Sequence, residues 1–229
     1  ERLPMLIIDT SSVLKNRNSF SARGAAILGF SRFGKDITYV LNDDLSLNFE
    51  ILLNFLNKYK NKKIIIFGFT YLLWNHFYKP IMSKDTIPNL KDSIIIHGGG
   101  WKKLSEESIS NRKLKNSFKK NMLVKNIINY YGMVEQTGSI FFECENGYLH
   151  TSIFSDIIIR KDNLSESKEN EDGIVELFSV LPTSYPGHII LTEDKGRIIG
   201  EDNCPCGKLG KYFLIHGRLK NSEVRGCSD

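Results

Sequence analysis

The first half of the chain alternates short apolar runs with segments of helical periodicity. The apolar runs have strand length and predict β-strands at residues 5–9, 24–28, 36–41, 64–68, 93–96 and 124–130. Apolar positions at helical spacing predict helices at residues 44–60, 70–82 and 114–122. Strands that alternate with helices are typical of a largely parallel sheet with helices on its faces, so we expect an α/β fold.

The pattern changes after Tyr131, where short apolar runs are separated by turn residues and no helical periodicity is convincing. This pattern predicts a smaller, mostly antiparallel β subdomain. Within it, residues 161–172 (KDNLSESKENED) are predicted to form a charged, flexible loop. The pattern therefore divides the chain into an α/β part at residues 1–138 and a β subdomain at residues 139–229.

Composition narrows the possible classes of protein. The 229 residues are 41% hydrophobic and 25% charged, which is typical of a globular protein of one or two domains. The net charge is +5, but the lysines are scattered, so a solvated surface is favoured over nucleic-acid binding. The longest apolar run, residues 64–74, is too short to span a membrane, which takes about 20 residues. With no signal-peptide features at residues 1–8, we expect a cytoplasmic protein with reduced thiols.

A glycine-rich segment, HGGGWKK, follows the predicted strand at residues 93–96. It contains Gly98, Gly99 and Gly100. Glycine lets the backbone approach a ligand closely, and ligands of parallel sheets gather at the carboxyl ends of strands. A nucleotide base or phosphate fits this position, and so does a plain tight turn.

Three later motifs each present a charged side chain next to a predicted strand. NYYGMVEQTGS presents Glu135, either as an oxygen ligand for Mg²⁺ beside a triphosphate or as an ordinary surface glutamate. ILTEDKG presents Asp194, either to accept hydrogen bonds from a ribose diol or to form an Asx turn. Arg218 follows the strand-like YFLIHG, and the polar residues after it suit a hinge.

The order and spacing of these motifs resemble the adenylate-forming superfamily, which includes acyl-CoA synthetases and luciferases. Over nearly the whole chain, the sequence more narrowly resembles the acyl-protein synthetase (LuxE) family. The resemblance is carried by LKNRNSFSARGAAILGF, FGFTYLLW, HGGGWKKL, YYGMVEQTGSIFFE, SYPGHIILTEDKG and GKYFLIHGRLKNSEVRGCSD.

The resemblance implies a role for each motif. The nucleotide contacts it implies are adenine against Gly98, Gly99, Gly100 and Tyr131, ribose at Asp194 with Arg218, and Mg²⁺ at Glu135, with Gly132 as a further nucleotide-binding residue. It also places Lys220 at an interdomain hinge. Val134 stands where the superfamily usually has threonine, so another group, for example Gln136 or Thr137, must supply the missing contact to the α-phosphate.

The activity implied by the resemblance is ATP-dependent conversion of a carboxylic acid, in this family a fatty acid, into an acyl-adenylate that passes its acyl group to a thiol. Cys227 matches the cysteine that becomes acylated, and Arg225 favours its thiolate. An acyl-carrying partner protein or coenzyme A are the other acceptors. An aryl or fatty acyl-CoA ligase and an inactive zinc-bearing scaffold are the alternative functions.

The ends of the sequence lack two features of the wider superfamily. No Ser/Thr/Gly-rich phosphate loop ending in lysine precedes Met5, and no lysine-bearing subdomain follows Asp229. We therefore expect the sequence to be the C-terminal two-thirds of the enzyme, which by itself does not turn over ATP.

A possible metal site involves the other three cysteines. Cys144 and His150 have the spacing C-x₅-H, and Cys204 and Cys206 form C-P-C-G. Together they supply the ligands of a structural zinc site, although C-x-C is tighter than the usual C-x₂-C, and buried free cysteines are common. The remaining histidines near the motifs are expected to pack or form hydrogen bonds: His97, His188 and His216.

Overall fold

Strands and helices alternate through the first of two units in the protein. The computed structural model describes residues 1–14, 21–101 and 108–219, and the chain passes from one unit to the other between Asn129 and Tyr130. The elements that begin in the first unit are β1 (Leu3–Ile7), α1 (Ala22–Ser31), β2 (Gly34–Tyr39), α2 (Phe49–Lys58), β3 (Ile64–Phe69), α3 (Thr70–Leu72), α4 (Lys79–Met82), β4 (Ser93–Gly98), α5 (Asn111–Met122) and β5 (Asn126–Gly132).

The strands of this unit form a sheet in the order β2-β1-β3-β4-β5. β1 pairs in parallel with both β2 and β3, and β3 pairs in parallel with β4. Every residue of β3 is buried, as expected for a central strand that is covered on both faces. The largely parallel α/β fold predicted from the alternation is therefore confirmed.

The helical segment that follows β3 is continuous from Thr70 to Met82, as its periodicity predicts. Its middle, Leu73–Tyr78, is a π-helix rather than an α-helix. The Trp74 and Tyr78 rings stack there with their centroids 4.4 Å apart. Aromatic packing against the core thus accompanies the wider helical turn.

The predicted strand at residues 24–28 is wrong, because these residues lie in the helix α1. The Ser21 hydroxyl caps this helix by accepting a hydrogen bond from the Gly24 backbone N–H at 3.1 Å. Gly24, Ile27 and Phe30 are buried at a spacing of three, which is the period of a helix face. Five apolar residues form too short a window to distinguish this spacing from a strand.

The second unit begins at Tyr130 and is almost entirely β-structure. Its own strands are β6 (Ile140–Phe142), β7 (Leu149–His150), β8 (Ser155–Arg160), β9 (Gly173–Ser179), β10 (Ile189–Glu201) and β11 (Lys211–Arg218). Five of them form an antiparallel sheet in the order β7-β11-β10-β9-β8, and β6 pairs antiparallel with the end of β5. Phe141 and Phe213 are fully buried in its core. The predicted antiparallel character is confirmed.

The segment predicted as a charged, flexible loop, residues 161–172, lies between β8 and β9 outside any helix or named strand, and it makes specific bonds. Its first part folds back along β8, where the Ser167 N–H donates to the Ile159 carbonyl at 2.8 Å. Its last residue, Asp172, forms an ion pair with Arg197 at 2.6 Å, and the same carboxylate lies 3.2 Å from the Nε2 atom of His216. The charged side chains of this segment thus form contacts with the sheet, while every residue of the segment except Ser167 is exposed.

Among the described residues, none of the helices has both the length and the hydropathy that a membrane crossing requires.

Candidate functional site

In the second unit, the side chains of Tyr131 and Asp194 meet. Tyr131 lies on β5 and Asp194 on β10, and the tyrosine hydroxyl donates to the Oδ2 atom of Asp194 at 2.7 Å. The Asp194 backbone N–H donates to Thr192 Oγ1 at 3.0 Å, and this hydroxyl donates to the Val175 carbonyl at 2.8 Å. The aspartate therefore lies in a strand with its carboxylate directed to another side chain, and not in an Asx turn.

Burial sets the protonation of this pair. It raises the pKa of Asp194, against the lowering effects of the Tyr131 hydrogen bond and the Arg218 charge. Burial and the Asp194 charge also raise the pKa of Tyr131 well above its usual value. The tyrosine thus remains a donor at neutral pH.

Arg218 lies directly opposite Asp194 in the β10–β11 pairing. Its guanidinium contacts the carboxylate of Glu193, the neighbour of Asp194 in sequence. The backbone N–H of Leu219 donates to the Glu193 carbonyl at 2.8 Å, so the end of β11 is bound to the same part of β10. The predicted neighbours Asp194 and Arg218 are thus brought together, while Glu193, which the sequence did not single out, takes the direct ion pair.

Glu135 lies in a short 3-10 turn, Val134–Gln136, with its side chain exposed. Its charge contributes to raising the pKa values of Tyr131 and Asp194, so the three groups lie within electrostatic range of one another. An exposed carboxylate suits a hydrated Mg²⁺, because this ion prefers oxygen ligands and retains water.

The two residues after Glu135 differ in their availability to a ligand. Gln136 is fully buried, and its amide nitrogen donates to the Gly187 carbonyl at 3.0 Å. The expectation that Gln136 replaces the missing threonine hydroxyl is therefore wrong, because its amide anchors the turn. Thr137 is exposed, and its hydroxyl donates to the Val134 carbonyl at 3.1 Å, a bond that an exposed hydroxyl can exchange for one to a ligand.

In the first unit, the glycine-rich segment lies at the end of β4. The carbonyl of Gly98, the last residue of this strand, accepts a hydrogen bond from the Thr70 hydroxyl at 3.0 Å. Gly99 has φ +72°, and a Cβ atom there would lie 2.8 Å from the Phe69 ring. Position 99 therefore requires glycine, and both Gly99 and Gly100 are exposed.

A small cavity of about 150 Å³ lies beside this segment and contains His97. The imidazole is 1% exposed, and its Nδ1 atom lies 3.0 Å from the Thr70 hydroxyl. Burial and the Lys115 charge lower the pKa of His97 to about 3, so it is neutral. Trp101 and Asn111 also line the cavity. His97 lies in β4, directly after the apolar run at residues 93–96, and it forms a hydrogen-bonding contact as the sequence analysis expects.

A second polar pair in the first unit was also missed. Asp9, which follows β1, is 1% exposed and lies 3.1 Å from the Arg23 guanidinium of α1. One of its carboxylate oxygens accepts the Thr10 backbone N–H at 2.7 Å. Polar residues placed immediately after the apolar MLII run were the available signal.

The predicted metal ligands lie together in the second unit. Cys144 follows β6, His150 lies on β7, and Cys204 and Cys206 lie in the connection between β10 and β11. Their ligand atoms are all within 4.8 Å of one another. The Cys206 Sγ atom is 3.5 Å from the Nε2 atom of His150.

The ionisation of these groups differs. Burial, opposed by the backbone N–H of Cys206, raises the pKa of the Cys204 thiol to about 11. The pKa of the Cys206 thiol is lowered overall. Burial acts to raise this pKa, but the hydrogen bonds from the Lys208 backbone N–H and from the neighbouring thiols outweigh burial. Burial and the Lys208 charge lower the pKa of His150, which keeps the imidazole neutral, as a metal ligand must be.

Two predicted site residues, Lys220 and Cys227, lie outside the described residues.

Comparisons with known proteins identify relatives of the sequence and of the fold. A sequence model of the family described as acyl-protein synthetase, LuxE, matches residues 1–229. The search of curated proteins gave no match.

Solved structures of adenylate-forming enzymes share the fold. ATP-bound MatB from Rhodopseudomonas palustris is 13% identical with a TM-score of 0.57, and the match covers 94% of this chain and 40% of MatB. A benzoate CoA ligase from Burkholderia xenovorans is 15% identical with a TM-score of 0.58, and the match covers 96% of this chain and 43% of the ligase. The luciferase-like enzyme from the Zophobas morio mealworm is 16% identical with a TM-score of 0.56, and the match covers 96% of this chain and 49% of that enzyme. The chain thus spans less than half the length of these proteins, and it has the fold of a partial adenylate-forming domain.

Proposed function

Because the chain belongs to the acyl-protein synthetase (LuxE) family, we propose that it forms part of an enzyme that activates a carboxylic acid with ATP and transfers the acyl group to a thiol. The observation that carries the proposal is the cluster of Tyr131, Asp194, Glu135 and Arg218 in the second unit. The hydrogen-bonded Tyr131 and Asp194 suit binding of a ribose. The exposed carboxylate of Glu135 and the guanidinium of Arg218 suit binding of a triphosphate and its cation.

Asp194 is the proposed ribose ligand. One of its oxygens accepts the Tyr131 hydroxyl, and the remaining lone pairs can accept both hydroxyls of a ribose diol. The hydrogen bond also fixes the tyrosine ring, whose face we assign to the adenine. Arg218, opposite Asp194, neutralises charge at the same position.

Glu135 is the proposed ligand of Mg²⁺, together with phosphate oxygens and water. When bound, the ion neutralises negative charge on the triphosphate. We assign the α-phosphate contact to the Thr137 hydroxyl, which would exchange its hydrogen bond to the Val134 carbonyl for one donated to a phosphate oxygen, because Gln136 is buried and Val134 has no hydroxyl. A contact of Gly98, Gly99 and Gly100 with the nucleotide stays a prediction from the resemblance to the family.

The proposed reaction has two steps. A substrate carboxylate oxygen attacks the α-phosphorus, the bond from this phosphorus to the bridging oxygen breaks, and pyrophosphate leaves. A thiolate then attacks the acyl carbon and AMP leaves, so that a thioester replaces the mixed anhydride. The residues contribute position and charge to the first step and need not form a covalent bond. Cys227 is the proposed acceptor thiol, a fatty acid the proposed substrate, and Lys220 the proposed hinge residue.

Carboxylate-dependent ATP–pyrophosphate exchange tests the adenylation step in the natural full-length enzyme. A panel of fatty, aryl and amino acids is compared for the unchanged protein, for Glu135→Ala and for the control Glu169→Ala, which removes another exposed glutamate. We expect the unchanged protein to catalyse exchange with one class of acid. Glu135→Ala should reduce the exchange rate at least about a hundredfold, and Glu169→Ala should leave it unchanged. Absence of exchange with every acid in a folded protein would refute adenylation and favour a binding scaffold.

Labelled acid identifies the acceptor. Label that remains on the unchanged protein but not on Cys227→Ser supports self-acylation. Label that passes directly to coenzyme A, at the same rate in both proteins, would replace the acyl-protein synthetase assignment with that of an acyl-CoA ligase.

A further inference from the structure

Three thiols and one imidazole converge in the second unit, away from any role in the proposed reaction. We propose that Cys144, His150, Cys204 and Cys206 hold one Zn²⁺ ion as a closed structural site. A tetrahedral zinc site with Zn–S bonds of about 2.3 Å has ligand atoms about 3.8 Å apart. Since all the ligand atoms already lie within 4.8 Å of one another, binding requires no pair to move closer by more than about 1 Å.

The donor set determines the class of metal. Thiolate and imidazole donors select zinc and other soft or borderline ions, whereas Mg²⁺ and Ca²⁺ require oxygen ligands. Four protein ligands fill a tetrahedron and leave no position for water or substrate, so the ion is structural and not catalytic. A disulfide would use two of the three thiols, but the structure has Cys144, Cys204 and Cys206 as free cysteines.

Two similar turns present the cysteines. Each is four residues long, begins with a cysteine and ends with a glycine at positive φ, in C-E-N-G and C-P-C-G. The Gly147 N–H donates to the Cys144 carbonyl at 3.0 Å, and the Gly207 N–H donates to the Cys204 carbonyl at 2.9 Å. Backbone N–H groups within the second turn and just after it also bond to the sulfurs, Cys206 N–H to Cys204 and Lys208 N–H to Cys206. Such donors stabilise thiolate charge before a metal binds.

The fourth ligand is fixed by the sheet. His150 lies on β7 and pairs with Tyr212 on β11, and the two rings stack with their centroids 5.7 Å apart. Its Nε2 atom, 3.5 Å from Cys206, is the atom we assign to the metal.

The surroundings of the second turn show what holds it in place. Of residues 201–209, all of which the structure describes, every one except Cys204 and Cys206 is exposed. Leu209, the large apolar residue of this stretch, is 76% exposed. Apart from its two cysteines, which pack in a small cluster with Cys144 and Tyr212, the connection between β10 and β11 is therefore not anchored by burial of apolar surface. Bonds from its two cysteines to a metal shared with Cys144 and His150 supply that anchor.

Metal analysis of the full chain, purified under reducing conditions without chelator, tests the proposal. We compare the unchanged chain with Cys206→Ala, Cys206→His and Cys227→Ser. Cys206 is half-buried, so its replacement perturbs packing little, and histidine restores a zinc ligand. We expect one zinc per chain in all but Cys206→Ala, whose affinity falls at least tenfold in competition with a chromogenic chelator.

Cobalt substitution of the unchanged chain decides the matter even if Cys206→Ala fails to fold. We expect intense sulfur-to-cobalt charge-transfer absorption and the visible bands of tetrahedral Co²⁺. No zinc after reconstitution, zinc binding of equal affinity in Cys206→Ala, a weak octahedral cobalt spectrum, or a native disulfide at Cys144 or Cys204 would each overturn the assignment.

Discussion

The hydrogen bond from Tyr131 to Asp194 makes a measurable contribution to stability that depends on pH. Tyr131→Phe removes the hydroxyl and leaves the ring. The lost bond of 2.7 Å joins a neutral donor to a carboxylate, and such bonds contribute about 1.5–3 kcal/mol. Asp194 is only half-buried, so water replaces part of the interaction, and we expect a loss near the lower end, about 1.5 kcal/mol.

The sign of the pH dependence follows from linkage. Burial already raises the pKa of Asp194 in the folded protein, and the tyrosine bond opposes that rise. Removing the bond raises this pKa further, while the pKa in the unfolded chain is unchanged. The variant is therefore less stable than the unchanged protein above the Asp194 pKa, and the difference fades as the pH falls through it.

Urea unfolding at pH 7 and at a pH below the Asp194 transition measures the effect. Tyr185→Phe is the matched control, because the Tyr185 hydroxyl accepts the Thr137 backbone N–H at 2.8 Å and contacts no carboxylate in that bond. Its effect on the unfolding free energy should not change between the two pH values. A Tyr131→Phe loss that is equally large at both pH values, or below about 0.3 kcal/mol at pH 7, would refute the charged hydrogen bond as its cause.

Three further substitutions test the packing of the two units. Gly99→Ala should lower the unfolding free energy by at least about 1 kcal/mol in thermal unfolding, because φ is +72° and the new Cβ would lie 2.8 Å from Phe69. Phe213→Ala should cost about 3–5 kcal/mol in urea unfolding, because the ring is fully buried. Asp9→Asn should cost about 3 kcal/mol in the same assay, because it leaves the guanidinium of Arg23, which is 17% exposed, without its carboxylate.

Periodicity predicted most of the elements because burial repeats every two residues in a strand and every three or four in a helix. It failed at residues 24–28, because a run of five apolar residues fits a strand and a helix equally well. Only the cap at Ser21 distinguishes the helix. The π-helix at Leu73–Tyr78 was not predictable either, since its buried positions also fit an ordinary helix.

Site residues could be predicted from the sequence where the residue type alone indicates a function, as it does for cysteine and histidine as metal ligands. Cys144, His150, Cys204 and Cys206 could be grouped from residue type and spacing alone, and the structure brings all four together. The partner of Asp194 could not be found in this way, because Tyr131 is 63 positions distant and only the pairing of strands makes them neighbours.

The segment that folds back along β8 has a consequence for the behaviour of the protein in concentrated solution. β8 is an outer strand of its sheet, and an outer strand with free backbone groups invites strand addition from another molecule. Here the Ile159 carbonyl accepts the Ser167 N–H at 2.8 Å, and the Ile157 N–H and carbonyl bond to the side chains of Asp156 and Lys211 at 2.8 and 3.1 Å. The charged segment and these side chains thus occupy backbone groups of β8 that another molecule would otherwise bind, which opposes aggregation through this edge.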